Sequence, residues 1–199
     1  RSVVLALDSR PTGSETYFMD DSPSVENAVL GLLHDRPLHG YELYRVYSDR
    51  SGLRAAWRVK RSRLYAILAR LGRAGLVEME VLGQPSHPPR KVYRLTPAGR
   101  EALRSWMTDP VSDSRAFRVD FPAKLFFASR LDLPAARRLV AEQAEVCGRW
   151  LRDREAASGG TDGFEALVLR FRSGQLRAME AWLGECVSWL EKGKDFRCG

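Results

Sequence analysis

Only one short stretch of this chain carries the period of a β-strand, and it lies between segments with the period of an α-helix. Val77, Met79 and Val81 alternate with Glu78 and Glu80, the pattern of a half-buried strand. Lys91-Val-Tyr-Arg-Leu95 reads as a returning strand. The residues between them, 84–90 (QPSHPPR), hold prolines at 85, 88 and 89 and are expected to be irregular, because proline cannot donate to a ladder. A single hairpin among helices makes the chain mostly α.

Three helices are expected ahead of the hairpin. The first spans about 23–33, with Ser22 as N-cap and Pro23 at the first helical position. Val25, Ala28, Val29, Leu32 and Leu33 give it a core-facing stripe. Arg36-Pro-Leu-His-Gly40 breaks it, and a short second helix follows over 41–48. After a loop with Gly52 and Trp57, the third spans about 60–74 and ends at Gly75, a residue suited to the left-handed C′ position. Beyond the hairpin, Thr96 caps a fourth helix that starts on Pro97 and turns Ala102, Leu103, Trp106 and Met107 inward. Helix, helix, helix, strand, loop, strand, helix is the order of a winged helix-turn-helix.

Past Pro110 the pattern is all helix. One helix covers 117–131 with the dense run Leu125-Phe-Phe127; another starts near Asp132, carries Leu139, Val140, Val146, Cys147, Trp150 and Leu151, and stops at Ser158-Gly-Gly160. The last, about 163–192, is expected to be roughly 44 Å long at the helical rise per residue. Its apolar residues fall at 164, 168, 171, 178, 182 and 189, with Leu167, Met179, Leu183, Cys186 and Leu190 beside them. That stripe is wide enough to pack against more than one neighbour. The reading is an irregular arm at 1–22, a winged helix-turn-helix with a two-stranded wing at 23–110, and an all-helical unit at 111–199. Met19, just ahead of the first convincing helix, is expected to be the natural start.

Charge narrows what such a head binds. Residues 50–94 hold eleven Lys/Arg against two acids, whereas the rest of the chain holds 21 basic and 23 acidic residues. One segment thus carries the whole basic excess of a chain with net charge +7. Like charges so close repel one another, and a polyanionic partner relieves that repulsion. Nucleic acid is the first candidate and an anionic membrane surface a distant second. No run of 18 apolar residues exists, so no membrane-spanning helix and a cytoplasmic location are expected. Cys147, Cys186 and Cys198 are widely spaced and odd in number, which suggests reduced thiols rather than a disulfide framework or a metal site.

The third helix is the expected reading element. Leu64, Ile67, Leu68 and Leu71 share one face and belong to the core, leaving Ser62, Arg63, Ala66, Arg70 and Arg73 opposite. Small residues and arginines make a surface narrow enough for a major groove about 12 Å wide. Arg61 and Arg63 at the helix start are the candidates for base edges or nearby phosphates, with Lys60 a further DNA-binding candidate, and Arg70 and Arg73 for the backbone. Arg90 and Lys91 sit at the base of a proline-stiffened wing and form a second candidate contact.

Read together, these residues resemble the PadR family of transcriptional regulators, in particular its branch with a helical C-terminal domain like that of virulence activators. The resemblance rests on Val29-Leu-Gly-Leu-Leu33, His39-Gly-Tyr-Glu-Leu43, Trp57 ahead of Leu64-Tyr65, and Ala69-Arg-Leu71 followed by Gly75-Leu-Val77. It continues through Arg90-Lys-Val-Tyr-Arg-Leu-Thr-Pro-Ala-Gly99 and Asp120-Phe-Pro-Ala-Lys-Leu-Phe-Phe127, the latter similar to the start of that family's dimerisation domain. It implies a homodimer on a palindromic operator, usually a repressor, with Tyr65 and Tyr41 against the DNA backbone. Many family members carry Gly or Ser where this chain has Arg63. The dimer seam is then expected on the last helix, at Phe164, Val168, Phe171, Met179, Trp182 and Trp189.

A rival reading makes the chain a sensor that regulates a stress, efflux or metabolic operon in response to an aromatic or planar small molecule. Trp57, Trp106, Trp150, Trp182 and Trp189 are numerous enough to line an aromatic pocket between head and tail. An enzyme is not expected: there is no glycine-rich phosphate loop, no H-E-x-x-H and no histidine beside obvious carboxylates. No catalytic residue, cofactor or metal is assigned. Duplex DNA is favoured over RNA, whose narrow A-form major groove excludes a helix.

Overall fold

Four leucine and isoleucine residues at helical spacing place the basic helix: Leu64, Ile67, Leu68 and Leu71 are all at most 2% exposed. The computed structural model describes residues 23–48, 59–84, 87–157, 160 and 162–192. The arm at 1–22 with Ser22 and Met19, Trp57, and Cys198 lie outside those residues. In chain order the elements are α1 (Pro23–Leu32), β1 (Leu38–His39), α2 (Gly40–Ser48), α3 (Arg61–Arg73), β2 (Val77–Gln84) and β3 (His87–Leu95). Then come α4 (Pro97–Thr108), α5 (Ser114–Leu131), α6 (Leu133–Ala157) and α7 (Gly163–Glu191).

Turn chemistry joins the head's pieces as the residue types predict. Gly75 takes φ +70°, and the Leu76 N–H donates back to the Leu71 carbonyl at 2.9 Å, closing α3 with a left-handed cap. Thr96 ties that cap to the next helix. Its hydroxyl donates to the Gly75 carbonyl at 2.7 Å and accepts from the Gly99 N–H at 3.0 Å, while Pro97 begins α4.

The sheet departs from expectation in two ways. It has three strands, in the order β1-β3-β2, because Leu38 and His39 pair antiparallel with Tyr93 and Val92. Only two residues long and directly after Pro37, β1 carries no periodicity to read. The wing is also longer: residues 84 and 87–90 are strand, with Leu82 opposite Arg90 and Gln84 opposite His87. A bulge between Leu82 and Gln84 absorbs the irregularity that the prolines demand. Since β1 pairs only at 92–93, the outer part of β3 has one open side toward which a missing N–H costs nothing.

Two cores share one helix. The head's core gathers α1, α2, α3 and the sheet, and is completed by Val119, Ala123, Phe126 and Phe127 of α5. The opposite face of α5, with Phe117, Phe121, Leu125 and Ala128, joins α6 and α7 in a second core. A helix buried on both sides explains the dense apolar run there. The joint between α4 and α5 is pinned by two buried polar side chains. The Lys124 ammonium donates to the Trp106 and Asp109 carbonyls, capping the end of α4, and lies 5.2 Å from the Trp106 ring centroid. Gln143 of α6, fully buried, accepts from the Val111 N–H at 2.6 Å and donates to the Val111 carbonyl at 3.2 Å.

Candidate nucleic-acid interface

With one face of α3 buried, the other is available for binding. Lys60, Arg61, Ser62 and Ala66 are exposed, Arg63 is half-buried, and Tyr65 is 42% exposed. The helix starts without an acidic residue in its first turn and without a side-chain cap from Lys60. Its positive dipole end therefore adds to the charges of Lys60, Arg61 and Arg63, a combination suited to phosphate.

Tyr65 joins this helix to a second group. Its ring packs so closely on Gly40 that a Cβ there would stand 2.4 Å from the ring, so any side chain at the start of α2 would displace Tyr65. Around that contact lies a cavity of about 680 Å³ lined by Tyr41, Arg45, Tyr65, Arg90 and Lys91, together with His39, Glu42 and Tyr93. The sequence candidates Tyr41, Tyr65, Arg90 and Lys91 thus converge from α2, α3 and the wing on one concavity. Tyr41 is 58% exposed and stacks near His39, with ring centroids 6.4 Å apart.

The single carboxylate in that lining is kept occupied. Glu42 is hydrogen-bonded by the Arg36 guanidinium, which holds its carboxyl below the usual range. His39 serves the same turn: its Nδ1 accepts from the Glu42 N–H at 3.1 Å, capping α2. Burial pushes the Tyr93 hydroxyl up, so it stays protonated at the cavity's inner edge.

Not every candidate joins this surface. Arg70 is turned toward α1, where its Nε donates to Glu26 at 2.7 Å and its second nitrogen lies 2.6 Å from the same oxygen. Arg94 is likewise paired with Glu78 across the hairpin at 2.7 Å. Arg73, at the far end of α3, is exposed. Arg45 and His39 were missed, although the i, i+4 spacing of Tyr41 and Arg45 on α2 is a usable signal.

In the tail, Phe164 and Phe171 are 79% and 66% exposed, with Val168 half-buried beside them. Met179, Trp182 and Trp189 instead pack against their own chain's core. Trp182 meets Phe117 and Phe121 edge-on at 6.1 and 5.9 Å. Both described cysteines are buried, and burial pushes the Cys147 thiol up and that of Cys186 up to about 11. Among the described residues no group of His, Cys, Asp and Glu could hold a metal ion, and no helix is long and apolar enough to cross a membrane.

A basic helix, a wing and a helical tail that share α5 define the winged-helix class of DNA-binding protein. Residues 29–105 match the transcriptional regulator PadR-like family. The chain is 30% identical over 192 residues to the probable transcriptional regulator Rv1176c of Mycobacterium tuberculosis, spanning 85% of this chain and 98% of that protein. It is 27% identical over 121 residues to the negative transcriptional regulator PadR of Bacillus subtilis, spanning 61% of this chain and 65% of that one. A crystal structure of Bacillus subtilis PadR in complex with operator DNA covers 83% of this chain and 97% of its own, at 22% identity and a TM-score of 0.43. The chain belongs to the PadR-like family of transcriptional regulators, a family of regulators rather than enzymes.

Proposed function

We propose that this protein is a homodimeric repressor that binds duplex DNA at an operator with two-fold symmetry and works in the cytoplasm. The observation that carries the proposal is the convergence of Tyr41, Arg45, Tyr65, Arg90 and Lys91 on one concavity beside the basic start of α3. In this reading the start of α3 enters the major groove, where Arg61 and Arg63 meet base edges or the nearest phosphates. The tyrosine hydroxyls and the wing's Arg90 and Lys91 hold the flanking backbone, fixing register without reading sequence. Arg70, held by Glu26, sets the angle between α1 and α3 and does not itself contact a phosphate.

The exposed apolar row Phe164, Leu167 and Phe171 on α7 supports the dimer, since three large side chains on one helix face are costly in water. Two-fold symmetry in the protein then calls for a two-fold operator, with half-site centres about 10–10.5 base pairs apart or a multiple of that. Fluorescence anisotropy on the DNA upstream of the protein's own gene, repeated across salt concentrations, tests the proposal. The log–log slope is expected to steepen by about 0.9 for each phosphate engaged. Binding that is flat across salt contradicts it, and a promoter reporter that falls silent when the gene is deleted contradicts repression.

A further inference from the structure

Head and tail meet at the last turn of α4, where one core gives way to the other. Leu103 is buried in the head's core, Met107 one turn later in the tail's, and Trp106 packs against both. The chain then runs through 109–113 into α5, and this short link is held at several points. Lys124 of α5, only 7% exposed, donates to the Trp106 carbonyl and, at 3.0 Å, to the Asp109 carbonyl. Two residues on, Gln143 of α6 takes both backbone groups of Val111. Asp113 then accepts from the Arg115 N–H at 2.9 Å, capping α5.

Apolar packing is a weak way to hold such a joint at one angle, because it has no direction and cores repack with modest loss. Hydrogen bonds do have direction. Burying an ammonium is unfavourable in itself: burial pulls the pKa of Lys124 down, while the carboxylates of Asp109 and Asp120 act the other way and favour the charge. A methionine would fill much the same space without that penalty. What the ammonium and the Gln143 amide add is geometry. They tie the end of α4, the link, α5 and α6 together through bonds that a rotated head would break.

We propose that Lys124 and Gln143 are positioning residues that hold the head at one angle on the tail. The consequence for DNA rests on the function proposed above: in a dimer that angle sets how far apart the two α3 helices stand, and so which half-site spacing is accepted.

Hydrogen exchange on the full wild-type chain gives the first test. The Val111 amide, whose acceptor is the Gln143 side chain, is expected to exchange as slowly as the core amides of α6. Exchange at the rate of an open loop overturns the proposal without any variant. Nitroxides at the exposed positions Ala74→Cys and Glu145→Cys, in a Cys198→Ser background diluted with unlabelled chain, then report the head-to-tail distance by double electron–electron resonance. One narrow distance is expected, and Lys124→Met/Gln143→Met is expected to broaden or split it with helix content retained. A narrow, unshifted distance in that variant overturns the proposal even where its melting temperature falls, because the two residues then only stabilise. If the double variant loses helix content, each single variant is read in its place by the same criterion. On DNA, the double variant is expected to bind a lone half-site as wild type does. On the full operator it is expected to lose about tenfold, the loss when roughly one molecule in ten holds the competent angle. Equal losses on both duplexes overturn the positioning role. A wild type that binds neither duplex counts against the DNA reading alone, since the distance measurement needs no DNA.

Discussion

Helices α3 and α7 are both amphipathic, yet their outward faces ask for opposite things. The face that α3 turns away from its leucines offers arginines, a tyrosine ring and an uncapped positive end, groups that do well in water and better against phosphate. At the start of α7 the outward face offers Phe164, Leu167 and Phe171, which do poorly in water. The proposed function gives the two faces partners of different chemistry, a polyanion for the head and an apolar surface for the tail. Between them, α5 belongs to both cores, a packing that favours one folding unit over two beads with a linker.

That view is most exposed at Phe127, which α5 contributes to the head's core. Phe127→Ala is expected to cost about 3–5 kcal/mol, and circular dichroism and tryptophan fluorescence should report one shared urea transition. Separate transitions for the two probes would make head and tail independent and break the comparison.

Next in size is the loss of the head's charge. Arg61→Ala/Arg63→Ala should lower DNA affinity by more than about tenfold and flatten the salt slope by about 0.9 per phosphate contact removed, with the helix content retained. The tail's counterpart is Phe171→Glu, which puts a charge into the apolar row. Sedimentation equilibrium should then show dimerisation weakened by about 2 kcal/mol or more, with the protomer's helix content intact. If either variant produced the other's phenotype, the division between a reading face and a pairing face would be wrong.

A smaller effect concerns the tail's core as a place for chemistry. Burial holds the Cys186 thiol at about 11 and raises that of Cys147, whereas an unfolded thiol ionises near about 8.5. Their contribution to stability is therefore whole below about 8.5 and is lost as pH rises through the folded values, because the unfolded chain sheds protons that the folded chain keeps. In a Cys198→Ser background, labelling by Ellman's reagent at pH 8 should be slow in the native protein and fast in urea. Rapid native labelling would show thiols accessible enough for redox chemistry, against the buried core described. Least of all, Glu26→Gln should cost no more than about 1 kcal/mol, as for other partly exposed ion pairs, and leave DNA affinity unchanged. A clear loss or gain of affinity would show that Arg70 takes part in DNA contact after all.

Much of this was legible from local pattern. The leucine face of α3, the Thr96-Pro97 entry to α4, the Gly75 stop and the extent of α7 all follow from residues within a few positions of one another. What stayed hidden depends on contacts made across the chain. Arg70 reads as a surface arginine until α1 brings Glu26 beside it. The strand at Leu38 and His39 exists only because β3 is there to pair with it. The wing's prolines forbid regular structure only when the neighbouring open edge and the bulge are ignored. Met179, Trp182 and Trp189 lie on the same stripe as Phe164 and Phe171, and only the position of Phe117 and Phe121 on α5 separates own-core residues from outward ones. The dense run Leu125-Phe-Phe127 did carry a signal, since a helix apolar on more than one side must be buried on more than one side.

The central claim is that the head reads DNA and the tail fixes the distance between two heads. Hydroxyl-radical footprinting on the DNA upstream of the gene tests it most directly. Two protected patches on one face of the duplex are expected, their centres about 10–10.5 base pairs apart or a multiple of that, both weakened together by Phe171→Glu. A single patch, or two that persist unchanged in that variant, would contradict the account.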